Sequence, residues 1–194
     1  MNKTRLEAFS DGVLAIIITI MVLEIKMPHS PDWNALLALK NIFVCYLLSF
    51  AYIGIYWGNH HHLVHTVKVV SPGIIWANMH LLFWLSLIPL ATNWMGETDF
   101  SRNSVIVYAV LLLFCGISYT LLQKTIEKSN ELTPEMTVAF AAVRMKGIIS
   151  VVCYSAAIPL AFVHTAISGC LFAVVSIMWI VPDRNIARAL KGSS

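Results

Sequence analysis

Arg5-Leu-Glu-Ala-Phe9-Ser10-Asp11-Gly12-Val-Leu-Ala-Ile16-Ile-Ile-Thr19-Ile20-Met-Val-Leu23 is the stretch on which the reading of this chain turns. It is an apolar segment long enough to cross a bilayer as a helix, with Arg5, Ser10 and Asp11 at its mouth. Ionisable groups at the edge of a membrane helix are costly, so they need partners or a task. On a helical wheel the segment has two faces. Arg5, Phe9, Gly12, Ile16, Ile20 and Leu23 follow one another at spacings of 4, 3, 4, 4 and 3 and form one stripe. Ser10 and Asp11 point well away from it. A smooth apolar row on one side and an acid on the other read as a pore wall backed by a polar anchor.

Working outward, the whole chain has the same character. Of its 194 residues 58% are hydrophobic and only 12% charged, with a mean hydropathy of +0.76, far from the balance of a soluble domain. The apolar residues fall in long blocks between short polar loops, the pattern of a polytopic membrane protein. A net charge of +3 without a basic-aromatic patch gives no reason to expect a nucleic-acid partner. Cys45, Cys115, Cys153 and Cys170 each sit singly inside an apolar block, with no Cys-x-x-Cys, and read as small core residues.

The spacing of the blocks predicts an all-α fold of six transmembrane helices, near residues 5–26, 38–62, 72–95, 103–126, 147–164 and 166–182, in one domain over 1–194. Residues 135–146 are read as a cytoplasmic lead-in to the fifth span. Glu7 and Asp11 interrupt the start of the first, and no small-x-small cleavage site follows it, so it is expected to remain rather than act as a signal peptide. Pro28 and Pro31 close the first span, Ser71-Pro72-Gly73 opens the third, and Gly96-Glu-Thr-Asp99 separates the third from the fourth. With the N-terminus inside, ten of the 13 basic residues fall on cytoplasmic segments, among them Lys3, Lys68, Arg144 and Arg184. Only Lys26, Lys40 and Arg102 fall outside. That bias sets both termini in the cytoplasm.

Polar residues inside the spans gather at one depth. The second span ends in Tyr56-Trp57-Gly-Asn59-His60-His61-His62-Leu-Val-His65, and the third carries Trp76-Ala-Asn78-Met-His80. Both stretches lie at the cytoplasmic end, level with Ser10 and Asp11. Buried polar groups at that depth must be satisfied within the protein. The expectation is a network in which Ser10 and Asp11 accept from imidazole, indole or amide donors, His60 or His61 foremost for Asp11. The alternative is that the histidines sit in the headgroup region, with Trp57 and Trp76 as ordinary interfacial anchors. His61 and His65 have the i, i+4 spacing of a metal pair, but the His-Glu-x-x-His pattern is missing and Asp11 is the one nearby carboxylate, so no metal site is expected. No catalytic triad, phosphate-binding glycine loop or dinucleotide fingerprint is present. Neither an enzyme nor a cofactor is expected.

Arg5-x-x-x-Phe9-Ser10-Asp11-Gly12 resembles the signature of the transmembrane protein 175 family, the endolysosomal and prokaryotic potassium channels. The likeness extends to Tyr56-Trp57-x-x-His60-His61, to Trp76-x-Asn78, and to Pro89 and Thr92. It covers the first half of the chain closely, whereas the second half agrees in length, polarity and span number. The resemblance implies six-span units assembled as a homotetramer in a prokaryotic plasma membrane, with potassium as the permeant ion. It also places the hydrophobic constriction on Ile16, with Thr19, Ile20 and Leu23 nearby in a central pore lined by the first helix. Taken without it, the same stripe is an ordinary packing seam or lipid face. The chain contains no Thr-Val-Gly-Tyr-Gly, so a carbonyl-lined filter is excluded. Selectivity would then arise from partial dehydration, which favours potassium over the more strongly hydrated sodium. The competing expectation is a proton-coupled or proton-conducting transporter using Asp11 and the histidines. The unbroken first helix and the position of its acid at the membrane edge weigh against that reading.

Overall fold

A computed structural model of the protein describes residues 2–129 and 133–180. The described residues form eight α-helices: α1 (Lys3–Leu23), α2 (Trp33–Leu37), α3 (Lys40–His65), α4 (Pro72–Ser86), α5 (Ile88–Glu97), α6 (Arg102–Ser129), α7 (Pro134–Leu160) and α8 (Thr165–Ile180). Five segments are long and apolar enough to cross a membrane: α1, α3, α4 with α5, α6 and α7. The sixth expected span corresponds to α8, a shorter apolar helix of 16 residues. Arg184, Arg188 and Lys191, counted above as cytoplasmic, lie outside the described residues, as do positions 181 and 182 of the sixth span.

Local chemistry explains the helix starts. Asn2 caps α1 by accepting from the Arg5 amide at 3.0 Å. Ser71 caps α4 and Thr133 caps α7, each accepting an amide hydrogen three residues on, with Pro72 and Pro134 in the first turn. The Thr133 cap makes the lead-in helical. Residues 135–146 belong to the same helix as the fifth span, α7, which runs from Pro134 and ends at Leu160 rather than 164. Arg144 and Lys146, counted above among the cytoplasmic charges, lie inside this helix and have partners from elsewhere. Arg144 donates to Glu127 at 2.7 Å, and Lys146 lies 5.7 Å from the centre of the Trp179 ring.

The third span is also not one rod. It breaks at Leu87, between α4 and α5. Pro89 has no amide hydrogen to give to the carbonyl one turn back, so the ladder is interrupted there, and the Leu87 amide turns to Trp84 at 3.3 Å.

Polar pairs fix how the helix ends align. At one end, Lys3 donates to the His65 carbonyl, Ser71 pairs with Ser129, and Arg144 meets Glu127. At the other, Lys26 faces Glu97, Asn41 donates to Asp99, and Arg102 lies over the Phe162 ring. The long segments therefore alternate in direction.

Inside the bundle, hydroxyl groups satisfy one another. Thr92 of α5 donates to Ser49 of α3 at 2.6 Å, and Ser49 pairs with Tyr108 of α6 at 2.8 Å. Tyr154 of α7 donates to Tyr52 of α3, which donates in turn to the Phe172 carbonyl of α8. Such closure is required where a bilayer offers no competing partner. Among the described glycines the tightest fit is at Gly96 of α5, where an added Cβ would lie 2.6 Å from the Ile42 Cα of α3.

Candidate functional site

Helix α1 packs on α3, α4 and α5 and turns its two faces to different surroundings. Leu6, Ser10, Leu14, Ile17 and Met21 form the packed face, with Leu14 only 1% exposed. Phe9, Gly12, Ile16, Ile20 and Leu23 form the other. Ile16 is 58% exposed and Leu23 79%, and nothing lies within 4 Å of a Cβ built on Gly12. This open row is the stripe read from the sequence. Thr19 lies beside it, exposed, its hydroxyl donating to the Ile16 carbonyl at 2.8 Å. With the hydrogen spent on its own helix, the Thr19 oxygen keeps its lone pairs for something else.

Behind the packed face runs a buried polar chain. His60 of α3 donates from Nε2 to Asn78 Oδ1 of α4 at 2.6 Å, and Asn78 Nδ2 donates to Ser10 Oγ at 2.9 Å. Ser10 passes its own hydrogen to the Leu6 carbonyl at 2.9 Å, closing the chain on the backbone of α1. All three side chains are almost fully buried. Asp11 is half-buried and stands apart from this chain. Its Oδ1 accepts from the Trp57 indole at 2.9 Å. The expected imidazole donor to Asp11 is thus replaced by an indole. The cause is the rotation of α3, which turns Trp57 toward Asp11 and His60, three residues on, toward Asn78.

Several residues grouped with this network stand outside it. Phe9 and Gly12 are on the open face of α1. The Arg5 side chain is exposed; its amide, not its guanidinium, makes the bond to Asn2. His61 points about 100° away from His60 and stacks on His65, ring centres 6.1 Å apart. Trp76, two residues before Asn78, faces outward at 74% exposure. His80 is turned to α6: it pairs with Ser118 through Nδ1 at 2.9 Å and accepts from Trp84 at Nε2 at 3.1 Å, so both ring nitrogens are used.

Reading the sequence did not single out the contact between Lys3, Glu7 and His65. The Glu7 carboxylate lies 3.9 Å from His65 Nδ1, on the residue whose carbonyl takes the Lys3 ammonium. An acid one turn before Asp11 was the available signal. Among the described residues no group of three His, Cys, Asp or Glu side chains is arranged to hold a metal ion.

Comparison with known proteins follows the same geography. The model of the family described as endosomal/lysosomal potassium channel TMEM175 matches residues 5–89, from α1 to the first turn of α5. The chain is 45% identical over 191 residues to a potassium channel of Chryseobacterium sp. (strain P1-3), covering 98% of this chain and 99% of that one. It is 34% identical over 103 residues to the human endosomal/lysosomal proton channel TMEM175, covering 47% of this chain and 20% of the human one. The crystal structure of a lysosomal potassium-selective channel TMEM175 homolog from Chamaesiphon minutus has the same fold, with a TM-score of 0.83 at 28% identity over 93% of this chain and 97% of that one. With an apolar helical bundle and near-complete coverage at 45% identity, the chain is an integral membrane protein that belongs to the TMEM175 family.

Proposed function

We propose that this protein is a potassium-selective channel of the prokaryotic plasma membrane, formed by four copies that bring their α1 helices together around one axis. The observation that carries the reading is the division of α1. Its Leu6–Met21 face is packed and hydrogen-bonded within the subunit, while the Phe9–Leu23 row is left exposed, from 40% at Ile20 to 79% at Leu23. Gly12 adds to this, because a helix meets its copies most closely where side chains are smallest.

In that assembly Ile16 forms the neck. A ring of branched alkyl groups has no dipole to offer an ion. It excludes ions by dewetting when narrow, and when wider it passes those that give up hydration water most readily. Potassium does so more easily than sodium. Thr19, one turn outward, presents hydroxyl oxygens that replace part of the lost shell, and Ile20 and Leu23 continue the apolar wall. No cofactor, metal or catalytic step enters. Arg5 snorkels from the inner mouth toward lipid phosphate.

Reconstitution into liposomes tests this. Discrete single-channel steps and a reversal potential that follows the potassium gradient, without a proton gradient, are the expected result. Ile16→Asn raises conductance and blunts selectivity, and unchanged currents would reject the constriction. Crosslinking the assembled protein gives four subunits, and any other number removes the four-fold axis.

A second reading has one observation in its favour, the proton-channel name of the human relative. A proton relay from the histidines to Asp11 would need each member both to give and to take a proton. The His60 chain instead passes through the Asn78 amide and ends on a backbone carbonyl, apart from Asp11. A folded Asp11→Asn assembly that conducts potassium normally supports the channel reading. One that assembles but has lost conduction supports the relay.

A further inference from the structure

On the flank formed by α6 and α7, away from α1, an apolar groove of about 310 Å³ runs between Ile117, Leu121, Ile148 and Val152. Its floor is the close approach of Gly147 to Thr120, where an added Cβ would lie 3.2 Å from the threonine hydroxyl. A groove of this kind in a membrane protein would ordinarily say little. What marks this one is its end. Lys124 lines it, and Lys128 follows one turn later on the same face of α6.

Neither lysine has an ion-pair partner among the described residues. The carboxylate closest to them in sequence, Glu127, is already engaged. It accepts from Arg144 of α7 at 2.7 Å and from Gln123 at 2.8 Å. Among the described residues, two positive charges are left over beside an apolar slot. Their depth fits a headgroup. Twenty-two residues separate Arg102, at the opposite end of α6, from Lys124, about 33 Å of helix against a hydrocarbon core of about 30 Å.

We infer that the α6–α7 groove binds an anionic phospholipid of the bilayer, one acyl chain lying along Ile117, Leu121 and Val152 and the phosphate held by Lys124 and Lys128. The charge complementarity selects this occupant. A second copy's apolar helix would fill the slot and leave both lysines unanswered, and a zwitterionic lipid would answer them while adding a positive charge of its own. Basic pockets between membrane helices commonly hold anionic headgroups in this way. The inference stands independently of which helix lines the conduction path.

Native mass spectrometry of the full-length protein released from detergent, titrated with phosphatidylglycerol or phosphatidylcholine, tests it. The wild type retains phosphatidylglycerol at a concentration roughly 30-fold below that needed for phosphatidylcholine, from about 1 kcal/mol per lysine. Lys124→Gln with Lys128→Gln brings the two lipids to parity, whereas Lys124→Arg with Lys128→Arg keeps the preference. Val152→Trp lowers retention of both lipids. A melting temperature in phosphatidylcholine that matches the wild type verifies that each variant is folded. Parity in the wild type, a preference that survives the double glutamine variant, or disulfide-linked copies through Val152→Cys would each overturn the assignment.

Discussion

The two faces of α1 belong to one 21-residue helix and differ in nearly everything else. The packed face holds Leu14 and Ile17 against neighbouring helices and ties Ser10 into a chain reaching His60. The open face presents Ile16, Ile20 and Leu23, all of them exposed. Both faces are mostly apolar, so hydropathy alone does not separate them. What separates them is which groups have somewhere to go. In lipid, an alkyl side chain gains little by leaving hydrocarbon for protein, and specificity comes from shape and from polar pairs. The packed face therefore fixes where α1 stands, and the open face is free to answer to whatever meets it.

Mutations on the two faces should consequently separate stability from transport. The largest loss of stability is expected from Asn78→Ala, which strands the His60 imidazole and the Ser10 hydroxyl together. About 2 kcal/mol follows from two interhelical bonds at about 1 kcal/mol each, between the average and the maximum found in membranes, read as a lower thermal midpoint in detergent. Leu14→Ala leaves a void against neighbouring helices and should cost about 1–2 kcal/mol, below the range for soluble cores because the transfer contribution is reduced in lipid. Trp57→Phe removes one bond to a half-buried carboxylate; about 0.6 kcal/mol is expected, and addition of Asp11→Asn should then cost less than it does alone, a coupling that a double-mutant cycle reads. Ile16→Ala should change subunit stability by less than about 0.5 kcal/mol, as for a side chain with little intrasubunit packing. Its conductance should nevertheless rise. A midpoint for Ile16→Ala that falls as far as for Leu14→Ala would break the contrast.

Much of this arrangement was legible beforehand, for physical reasons. A bilayer demands apolar helices of a minimum length, so the long blocks translate directly into α1, α3, α6 and α7. The 3.6-residue period exposes the Gly12–Ile16–Ile20 row without any tertiary knowledge. Ser10, Asp11, Trp57, His60 and Asn78 stood out because polar groups are rare at that depth. Who pairs with whom was not legible: a rotation of α3 by part of a turn exchanges Trp57 for His60 opposite Asp11, and nothing local fixes that angle. The early start of α7 was hidden for a related reason. Arg144 and Lys146 count as cytoplasmic charges until Glu127 and Trp179 arrive from other helices. The break at Leu87 had a visible cause in Pro89, which the sequence reading used only as part of the signature. The Thr133-Pro134-Glu135 helix start was likewise written in the sequence, as a capping threonine with proline in the first turn.

The crossing of α5 over α3 at Gly96 has a mechanical corollary. A hydrogen atom is all that fits between that glycine and the Ile42 backbone, so any side chain at position 96 would wedge the two helices apart. Helix α3 runs on from that contact to Trp57 and His60, so a wedge at one end would be felt as a tilt at the other, where those two side chains reach the neighbouring helices.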